Sequence, residues 1–354
     1  MYTIPKLFPI CMAATMALFS CRKSEPLPGK THQYDFSAVD KVLNDSVPSK
    51  FGGKVYAIIT VNNKVAYERG MGGYTADTKQ LIASCTKWLS GAALMTLVDE
   101  GKLKLTDTVG KFLPIFTANK KGHITIGQLF SHTSGFPGNS EQGYEDNQLL
   151  TLSSAVDLIA KNVPLAAVPG TRFDYGGVGM HVAGRICEVV SGKDWNTFIK
   201  EKIYTPCGMA NTDFGQTQNP IIAGGARSTP HDYTLFLLML MNKGVSTTGN
   251  RVLSEAAVTQ MELSQTANAS IYYTPYPIAL IGTTGIYGVG NWRDIQGSDG
   301  LLIENSSPGA FGSHPWINRS KRVTGFLFTF VANGHQATVY TSLKIRSIVR
   351  GMTF

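Results

Sequence analysis

The segment Ser84-Cys-Thr-Lys87 contains two side-chain types that together can perform nucleophilic catalysis. A serine hydroxyl becomes an effective nucleophile when an adjacent base takes its proton, and a neutral lysine amine can act as that base. Residues three apart share one face of a helix, so Ser84 and Lys87 would be neighbours there. A serine at a helix N-terminus also lies among unpaired N–H groups that can stabilise an anion.

The surrounding sequence predicts the helix that this arrangement needs. Residues 83–100 are apolar almost all round, which is typical of a buried helix, and Gly101 suits the position after its C-terminus. An unpaired ammonium is costly inside such a helix, so we predict a lowered pKa and a neutral amine at Lys87. The structural alternative is a helix-capping Ser84 and a Lys87 that extends to solvent. A second Ser-x-x-Lys at residues 20–23 shows that the pattern alone is not decisive.

The order of predicted elements indicates a three-layer α/β (α+β) sandwich. A short amphipathic helix is expected at 34–47, and the β-rich runs 54–61 and 64–69 form a hairpin around Asn62-Asn63. One sheet of about five antiparallel strands would combine both chain ends, with helices on its faces and a helical subdomain inserted at roughly 102–285. Further helices are predicted at 125–132, 152–161, 178–191, 195–203, 230–243, 254–262 and 337–352, and further strands at 300–304, 310–318 and 323–332.

Several segments resemble, in the same order, the serine β-lactamase and penicillin-binding protein superfamily. The resemblance is to the branch containing class C β-lactamases, D-alanyl-D-alanine carboxypeptidases and β-lactamase-like esterases, and it spans roughly residues 34–354. It implies a β-lactamase/transpeptidase-like fold in which Ser84 is the nucleophile, Lys87 its base and Tyr175 the phenol that relays protons. Besides the serine segment, the matching stretches are 98–107, 124–136, 173–180, 204–209 and 310–316.

The same resemblance implies an oxyanion hole and shows two departures from the family pattern. The backbone N–H groups of Ser84 and Ala310 are the expected donors. The third motif, usually Lys, His or Trp, any residue, then Gly, is Ser307-Pro308-Gly309 here, with 304–306 as an alternative alignment. Gly177 occupies the usual position of an Asn. We therefore assign Ser84, Ser307, Gly309 and Ala310 to oxyanion and substrate binding, without a cation for a substrate carboxylate.

Other candidate residues receive plainer interpretations. His132 fits a structural turn, His314 either lines the cleft or lies on the surface, and Tyr175 alone is also compatible with a core aromatic. Cys187 and Cys207 are expected to be buried thiols rather than a disulfide. No Gly-x-Ser-x-Gly elbow, His-Glu-x-x-His or clustered Cys/His spacing occurs, so no metal or cofactor is predicted.

The N-terminus predicts export. Lys6 precedes the apolar run 7–20, which is typical of a signal peptide over 1–20 and short for a bilayer span. Leu18-Phe19-Ser20-Cys21 resembles a bacterial lipobox, although Phe19 is larger than usual. We expect a lipidated Cys21, a flexible tether at 21–33 and a hydrolase domain at 34–354, hence a lipoprotein of the bacterial cell envelope, periplasmic or outer-membrane. An ordinary secretory signal or an N-terminal membrane helix are the alternatives.

Composition and motifs together narrow the function. The 354 residues are 43% hydrophobic and 16% charged, and the formal net charge of +8 is spread along the chain, which disfavours nucleic-acid binding. The predicted function is a serine hydrolase that forms an acyl-enzyme with small esters or with D-amino-acid or cell-wall-derived amides. A catalytically silent binder of peptidoglycan or of a partner, and a specialised β-lactamase, remain the alternatives.

Overall fold

The computed structural model describes residues 24–30, 34–277, 285–332 and 334–354. The strands are β1 (Val55–Val61), β2 (Lys64–Met71), β3 (Gln80–Leu81), β4 (Arg172–Asp174), β5 (Arg227–Ser228), β6 (Ser270–Tyr273), β7 (Trp292–Gln296), β8 (Leu302–Ser306), β9 (His314–Asn318) and β10 (Val323–Phe328). The helices are α1 (Ser37–Lys50), α2 (Thr86–Asp99), α3 (Val109–Phe112), α4 (Pro114–Ala118), α5 (Ile126–Phe130), α6 (Leu152–Asn162), α7 (Val178–Ser191), α8 (Trp195–Ile199), α9 (Thr205–Cys207), α10 (Pro230–Met241), α11 (Glu255–Glu262) and α12 (His335–Gly351), with a 3₁₀ turn at Ala83–Cys85 and a π-helical turn at Lys200–Tyr204.

The central sheet combines both ends of the chain, as predicted. Its strand order is β2-β1-β10-β9-β8-β7, and every neighbouring pair is antiparallel. The described residues thus give six strands where about five were expected. The unpredicted strand is β7, whose sequence Trp-Arg-Asp-Ile-Gln places two charged residues where an apolar pattern is normally sought.

The predicted hairpin is confirmed. Asn62 and Asn63 connect β1 to β2 with φ angles of 50° and 66°, in the left-handed region that Asn tolerates better than most residues. Strand β1 then separates the two faces of the sheet. Val55, Ala57 and Ile59 pack with α1 and α12, whereas Tyr56 and Ile58 face the larger core that contains α2 and α10. These alternating faces produce the three layers that the sequence predicts.

The inserted region is less separate from the sheet than predicted. Helix α10 lies inside the expected subdomain of 102–285, yet it packs on the sheet, with the rings of Tyr233 and Phe326 4.7 Å apart. Tyr233 also donates a hydrogen bond of 2.7 Å to the carbonyl of Cys85, beside the proposed nucleophile. The helix is apolar on all sides because it is enclosed by the sheet and by the helices of the insertion.

Residues 24–30 lie against the body of the protein. Ser24 donates a hydrogen bond of 2.6 Å to buried Asp232 and accepts one of 3.0 Å from Asn211, and Glu25 N donates to the Gly208 carbonyl at 3.1 Å. Polar groups of the body thus bind Ser24 and Glu25, and the flexible tether at 21–33 stays a prediction. The predicted signal peptide at 1–20 and Cys21 fall outside the described residues. Among the described helices, none has the length and apolar character needed to cross a bilayer.

Candidate active site

The proposed nucleophile lies in a tight turn at the start of α2. Ser84 occupies the 3₁₀ turn that precedes this helix, and the preceding residue, Ala83, has a φ of 45°. A left-handed conformation at a non-glycine residue costs about 1–3 kcal/mol, so the surrounding contacts must hold it. Ile82 N donates to the Ala226 carbonyl at 3.0 Å, and the Thr86 hydroxyl accepts from Ala226 N at 3.2 Å. The turn is thus fixed on both sides of Ser84.

Lys87 is buried one turn into the helix, directly beside Ser84. Its Nζ lies 3.1 Å from Ser84 Oγ and 2.9 Å from the carbonyl oxygen of Ala223, and the residue is only 3% exposed. Burial lowers the pKa of Lys87 to about 7, while electrostatic interactions with Cys85 and Asp146 act in the opposite direction. The alternative in which Lys87 extends to solvent is wrong. Near neutral pH, a large fraction of this lysine is a free amine next to the hydroxyl.

Tyr175 lies beside Ser84 and Lys87. It follows β4 and precedes α7, and its ring centroid lies 4.6 Å from Lys87 Nζ. Burial raises the pKa of Tyr175, and a hydrogen bond with the side chain of Ser84 partly opposes that rise. The phenol is therefore protonated at neutral pH and able to donate a proton. The structure brings Ser84, Lys87 and Tyr175 into one cluster, as the family resemblance implies.

Aromatic side chains hold Tyr175 in place. Trp292 stacks on its ring at 5.3 Å, and the buried His132 lies 4.5 Å from it. His132 has a φ of 60°, and its Nδ1 accepts a 3.4 Å hydrogen bond from Gly176 N. Burial holds the pKa of His132 well below its usual range, so the imidazole is neutral. His132 thus lies in a structural turn, as predicted, and its ring packs against that of Tyr175.

The loop between β8 and β9 contributes both to the cavity lining and to the support of the turn that contains Ser84. Ala310 is exposed and lines the cavity in front of Ser84, although it lies in the loop and not on the predicted strand. Ser307 is buried, and its hydroxyl donates to the carbonyls of Ser84 and Gly290 at 3.1 and 3.3 Å. A Cβ on Gly309 would lie 2.4 Å from the Ile82 carbonyl oxygen. Ser307 and Gly309 therefore brace the nucleophile turn instead of lining the substrate cavity as predicted.

Gly177 lacks the Asn side chain of the family pattern, and another asparagine of the chain partly replaces it. A Cβ on Gly177 would meet neighbouring atoms only at 3.5 Å or more, so a side chain is absent from a place where one would fit. Asn139, from the loop before α6, accepts a hydrogen bond of 3.0 Å from Gly177 N and also lines the cavity. The site thus retains an amide side chain, supplied by a different segment. Asn139 matches no family motif because the motifs occur in a fixed order along the chain and Asn139 precedes Tyr175.

These residues border one cavity of about 870 Å³, within the range of small-molecule sites. Its lining includes Ser84, Lys87, Tyr175, Ala310 and Asp146. Sequence reasoning gives no role to Asp146, since a lone carboxylate in a polar loop matches no motif. Within the described ranges, no group of three or more His, Cys, Asp or Glu residues could hold a metal ion.

Two further predictions can be compared with the structure. His314 is neither in the cavity lining nor on the surface: it is buried, with its Nε2 3.0 Å from Arg346 Nη1. The prediction fails because the adjacent helix α12 carries a buried cation that the sequence does not mark as buried. Cys187 and Cys207 are both free and buried, as predicted.

The architecture is that of the β-lactamase/transpeptidase-like fold, in which an antiparallel sheet is flanked by helices and the proposed nucleophile begins a buried helix. The family model for Beta-lactamase matches residues 52–348. The chain belongs to the Beta-lactamase family. A solved structure of a β-lactamase homologue from Bacteroides dorei DSM 17855 is 32% identical, with a TM-score of 0.80 over 88% of this chain and 99% of that one.

Curated relatives match over part of their length. Protein flp of Staphylococcus aureus (strain N315) is 31% identical over 196 residues, which are 51% of this chain and 39% of the relative. Penicillin-binding protein 4 of Amycolatopsis lactamdurans is 28% identical over 228 residues, 54% of this chain and 59% of the relative. The chain thus spans less than two thirds of the length of either relative. These similarities establish the family and leave the substrate to be argued from the site.

Proposed function

We propose that the protein is a serine hydrolase that forms an acyl-enzyme on Ser84 and hydrolyses small esters, or amides derived from D-amino acids or the cell wall. The observation that carries this proposal is the position of Lys87 Nζ, 3.1 Å from Ser84 Oγ in a buried site where burial lowers the lysine pKa to about 7. A neutral amine at hydrogen-bond distance satisfies both the geometric and the protonation requirement for a general base.

Acylation would proceed in a defined order. Ser84 Oγ attacks the substrate carbonyl while Lys87 takes its proton, and the Tyr175 phenol passes a proton to the leaving alcohol or amine as its bond to the acyl carbon breaks. Among described residues, the N–H groups of Ser84 and Ala310 donate to no protein acceptor, so both are available to an oxyanion. Each such donor contributes about 3–4 kcal/mol in a dry site. A water activated by the same groups then releases the acyl chain.

The site favours esters or small amides over β-lactams. Gly177 lacks the amide side chain that the family pattern uses, and Ser307-Pro308-Gly309 supplies no cation to the cavity. Asn139 offers an amide from a different direction, which fits substrates held by other contacts. A silent binding protein and a β-lactamase would share this fold, so activity must decide among the three.

Covalent labelling tests the proposal. The protein without residues 1–20 is treated with a fluorophosphonate probe, and the labelled peptide is identified by mass spectrometry. We expect labelling at Ser84, its loss in Ser84→Ala, and its retention in Ser49→Ala, which changes an exposed serine on α1. A folded protein that takes up no probe and hydrolyses no ester would establish the silent binder, and rapid nitrocefin turnover would establish the β-lactamase.

We also propose export and attachment to the bacterial cell envelope through a lipid on Cys21. The apolar run 7–20 and the segment Leu18-Phe19-Ser20-Cys21 support this proposal. Metabolic labelling of the full chain with an alkyne fatty acid, compared with Cys21→Ala, tests it. Label in the parent and none in the variant is the expected result, and an unlabelled parent chain recovered from the medium would contradict it.

A further inference from the structure

The ionisable side chains of the active-site cavity leave one anion without a partner. Besides Lys87 and two tyrosines, the lining contains Glu145, Asp146 and His181. Burial lowers the pKa of His181 to about 4, so it is neutral, and its Nε2 pairs with Asn219 at 2.8 Å. Glu145 is buried and accepts hydrogen bonds from the backbone N–H and hydroxyl of Ser140.

Asp146 differs from Glu145 and His181 because its side chain has no such partner in the described part of the chain. Its side chain is exposed to the cavity, and among the described residues its carboxylate accepts no hydrogen bond and forms no ion pair. Lys87 is the only lysine or arginine in the described lining. The undescribed residues 278–284, which follow the lining residue Pro275 in the chain, contain no ionisable side chain in sequence. The described lining therefore holds two carboxyl groups, Glu145 and Asp146, and one basic side chain. Partial burial raises the pKa of Asp146, and the nearby charge of Lys87 opposes that rise.

Buried polar groups fix the backbone that carries Asp146. Asn219, fully buried, donates from Nδ2 to the carbonyls of Tyr144 and Asn147 at 3.0 Å each, so it grips the chain on both sides of Asp146. Glu145 holds the same loop through Ser140. Satisfied buried polar networks rigidify the segments that they join. Three buried polar side chains, those of Asn219, Glu145 and Ser140, thus hold the loop from which the unpaired carboxylate of Asp146 lines the same cavity as Ser84.

We propose that Asp146 recognises a protonated amine, so that the preferred substrates are esters or amides bearing an ammonium group. This inference rests on the proposed function and deepens it. A carboxylate preorganised in a partly enclosed cavity forms a charge-assisted hydrogen bond with an ammonium, which is stronger than a neutral one. The same charge repels acyl chains that carry a carboxylate, in keeping with the lack of a cation at Ser307-Pro308-Gly309.

Matched substrate pairs test the amine preference. Ethyl esters of alanine, β-alanine and 4-aminobutanoate are compared with ethyl 2-methylpropanoate, butanoate and pentanoate, in which a methyl group replaces the ammonium. Ethyl hydrogen succinate supplies the anionic counterpart, and hydrolysis is followed by pH-stat at pH 7.5. For the best amine position, we expect kcat/KM to exceed that of the neutral partner by about tenfold or more, the scale of one charge-assisted hydrogen bond.

Two substitutions of Asp146 test whether this residue causes the preference for amine-bearing esters. Asp146→Asn should bring the amine-to-neutral ratio of kcat/KM close to one, and Asp146→Lys should raise the succinate-to-neutral ratio. Glu141→Gln removes an exposed carboxylate from the same loop outside the lining and should keep the parent ratio. An amine preference that survives Asp146→Asn, or a parent ratio near one at every amine position, overturns the inference.

The two proposals fail separately. Fluorophosphonate labelling of Ser84 with hydrolysis of neutral esters, but without amine preference, rejects only the role of Asp146. If no ester is hydrolysed, calorimetric titration with ethyl 4-aminobutanoate and ethyl pentanoate still tests the subsite. Binding of the amine alone, lost in Asp146→Asn, would support the subsite in a non-catalytic protein, and equal binding of both esters would reject it.

Discussion

The indole of Trp292 is stacked on the phenol of Tyr175, with ring centroids 5.3 Å apart and an interplanar angle of 23°. Tyr276 stacks on the same indole at 5.3 Å and 21°. Trp292 begins the edge strand β7, and two residues later Asp294 pairs with the buried Arg346 of α12 at 2.5 Å. The tyrosine proposed to relay protons is therefore positioned by an edge strand that the C-terminal helix holds in place.

Trp292 is expected to act as a positioning residue. Trp292→Leu should lower kcat at least tenfold with a smaller change in KM, because Tyr175 loses the flat surface that orients its hydroxyl. Trp292→Phe keeps an aromatic face and should retain most of kcat. Steady-state kinetics on a neutral ester, with circular dichroism to verify folding, checks both variants. Equal kcat losses in the two folded variants would show that stacking is not what matters.

Arg346 should be a major contributor to stability. It forms ion pairs with Asp294 and Glu304, and all three side chains are buried. Arg346→Met leaves Asp294 without its cation and Glu304 with Arg350 alone, and removal of one partner from a buried pair costs about 3–5 kcal/mol. Urea unfolding measures the loss. Arg350→Met is the matched control: Arg350 also pairs with Glu304, but its side chain is 30% exposed, so its loss should cost less than about 1 kcal/mol.

The pH dependence of activity should follow Lys87. Only the neutral amine can take the Ser84 proton, so kcat/KM for an uncharged ester should rise with pH around a midpoint of about 7. His132 is neutral and Tyr175 protonated in this range, which leaves Lys87 as the group that titrates beside Ser84. Because the charge of Asp146 raises the lysine pKa, Asp146→Asn should move the midpoint to lower pH. A midpoint that stays in place would show that another group controls the profile.

Lys87 should also reduce stability. Its pKa is about 7 in the folded protein and 10.5 in the reference state, so between these values the unfolded chain binds more protons. The free energy of unfolding attributable to this group therefore rises with pH from about 7 to 10.5. Lys87→Met should be inactive yet more stable below pH 7, by a few kcal/mol, and the difference should shrink towards pH 10. Denaturant unfolding across this pH range provides the measurement. A variant less stable than the parent at pH 6 would contradict the assignment.

Adjacent glycines after Tyr175 should respond in opposite ways to the same substitution. A Cβ on Gly176 would lie 1.9 Å from the Gly138 carbonyl oxygen, whereas the nearest atom to a Cβ on Gly177 is 3.5 Å away. Gly176→Ala should cost about 2–3 kcal/mol or more and displace Tyr175, while Gly177→Ala should change stability by less than about 0.5 kcal/mol. Thermal unfolding of both variants tests this contrast, and similar losses would refute it.

The parts of the fold that follow from local pattern were predictable. The Asn62-Asn63 hairpin, the apolar helix that begins after Ser84, and the return of the chain to β-structure near its end each depend on short-range periodicity or turn chemistry. The proximity of Ser84 and Lys87 follows from their spacing together with the apolar helix predicted around them. Tyr175 required the family resemblance, because a tyrosine before a helix is otherwise unremarkable.

The remaining features depend on long-range contacts that no local pattern records. Strand β7 contains Arg293 and Asp294, and its burial becomes favourable only because Arg346, some fifty positions later, neutralises Asp294. His314 is also buried, and its Nε2 lies beside the same Arg346. Asp146 acquires its position from Asn219, which lies 72 and 75 residues from the loop carbonyls that it binds. Ser24 is held by Asp232, more than two hundred residues away.

The docking of Ser24 on Asp232 also limits how far the catalytic body could stand from a membrane. With a lipid on Cys21, as proposed, three residue steps separate the anchor from the docked serine, a span of at most about 11 Å. So short a connection would leave the folded domain little freedom to rotate relative to the membrane. The face around Gly208 and Asn211 would be turned towards the lipid headgroups. Substrates would then be drawn from the thin layer next to the bilayer instead of from the bulk of the compartment.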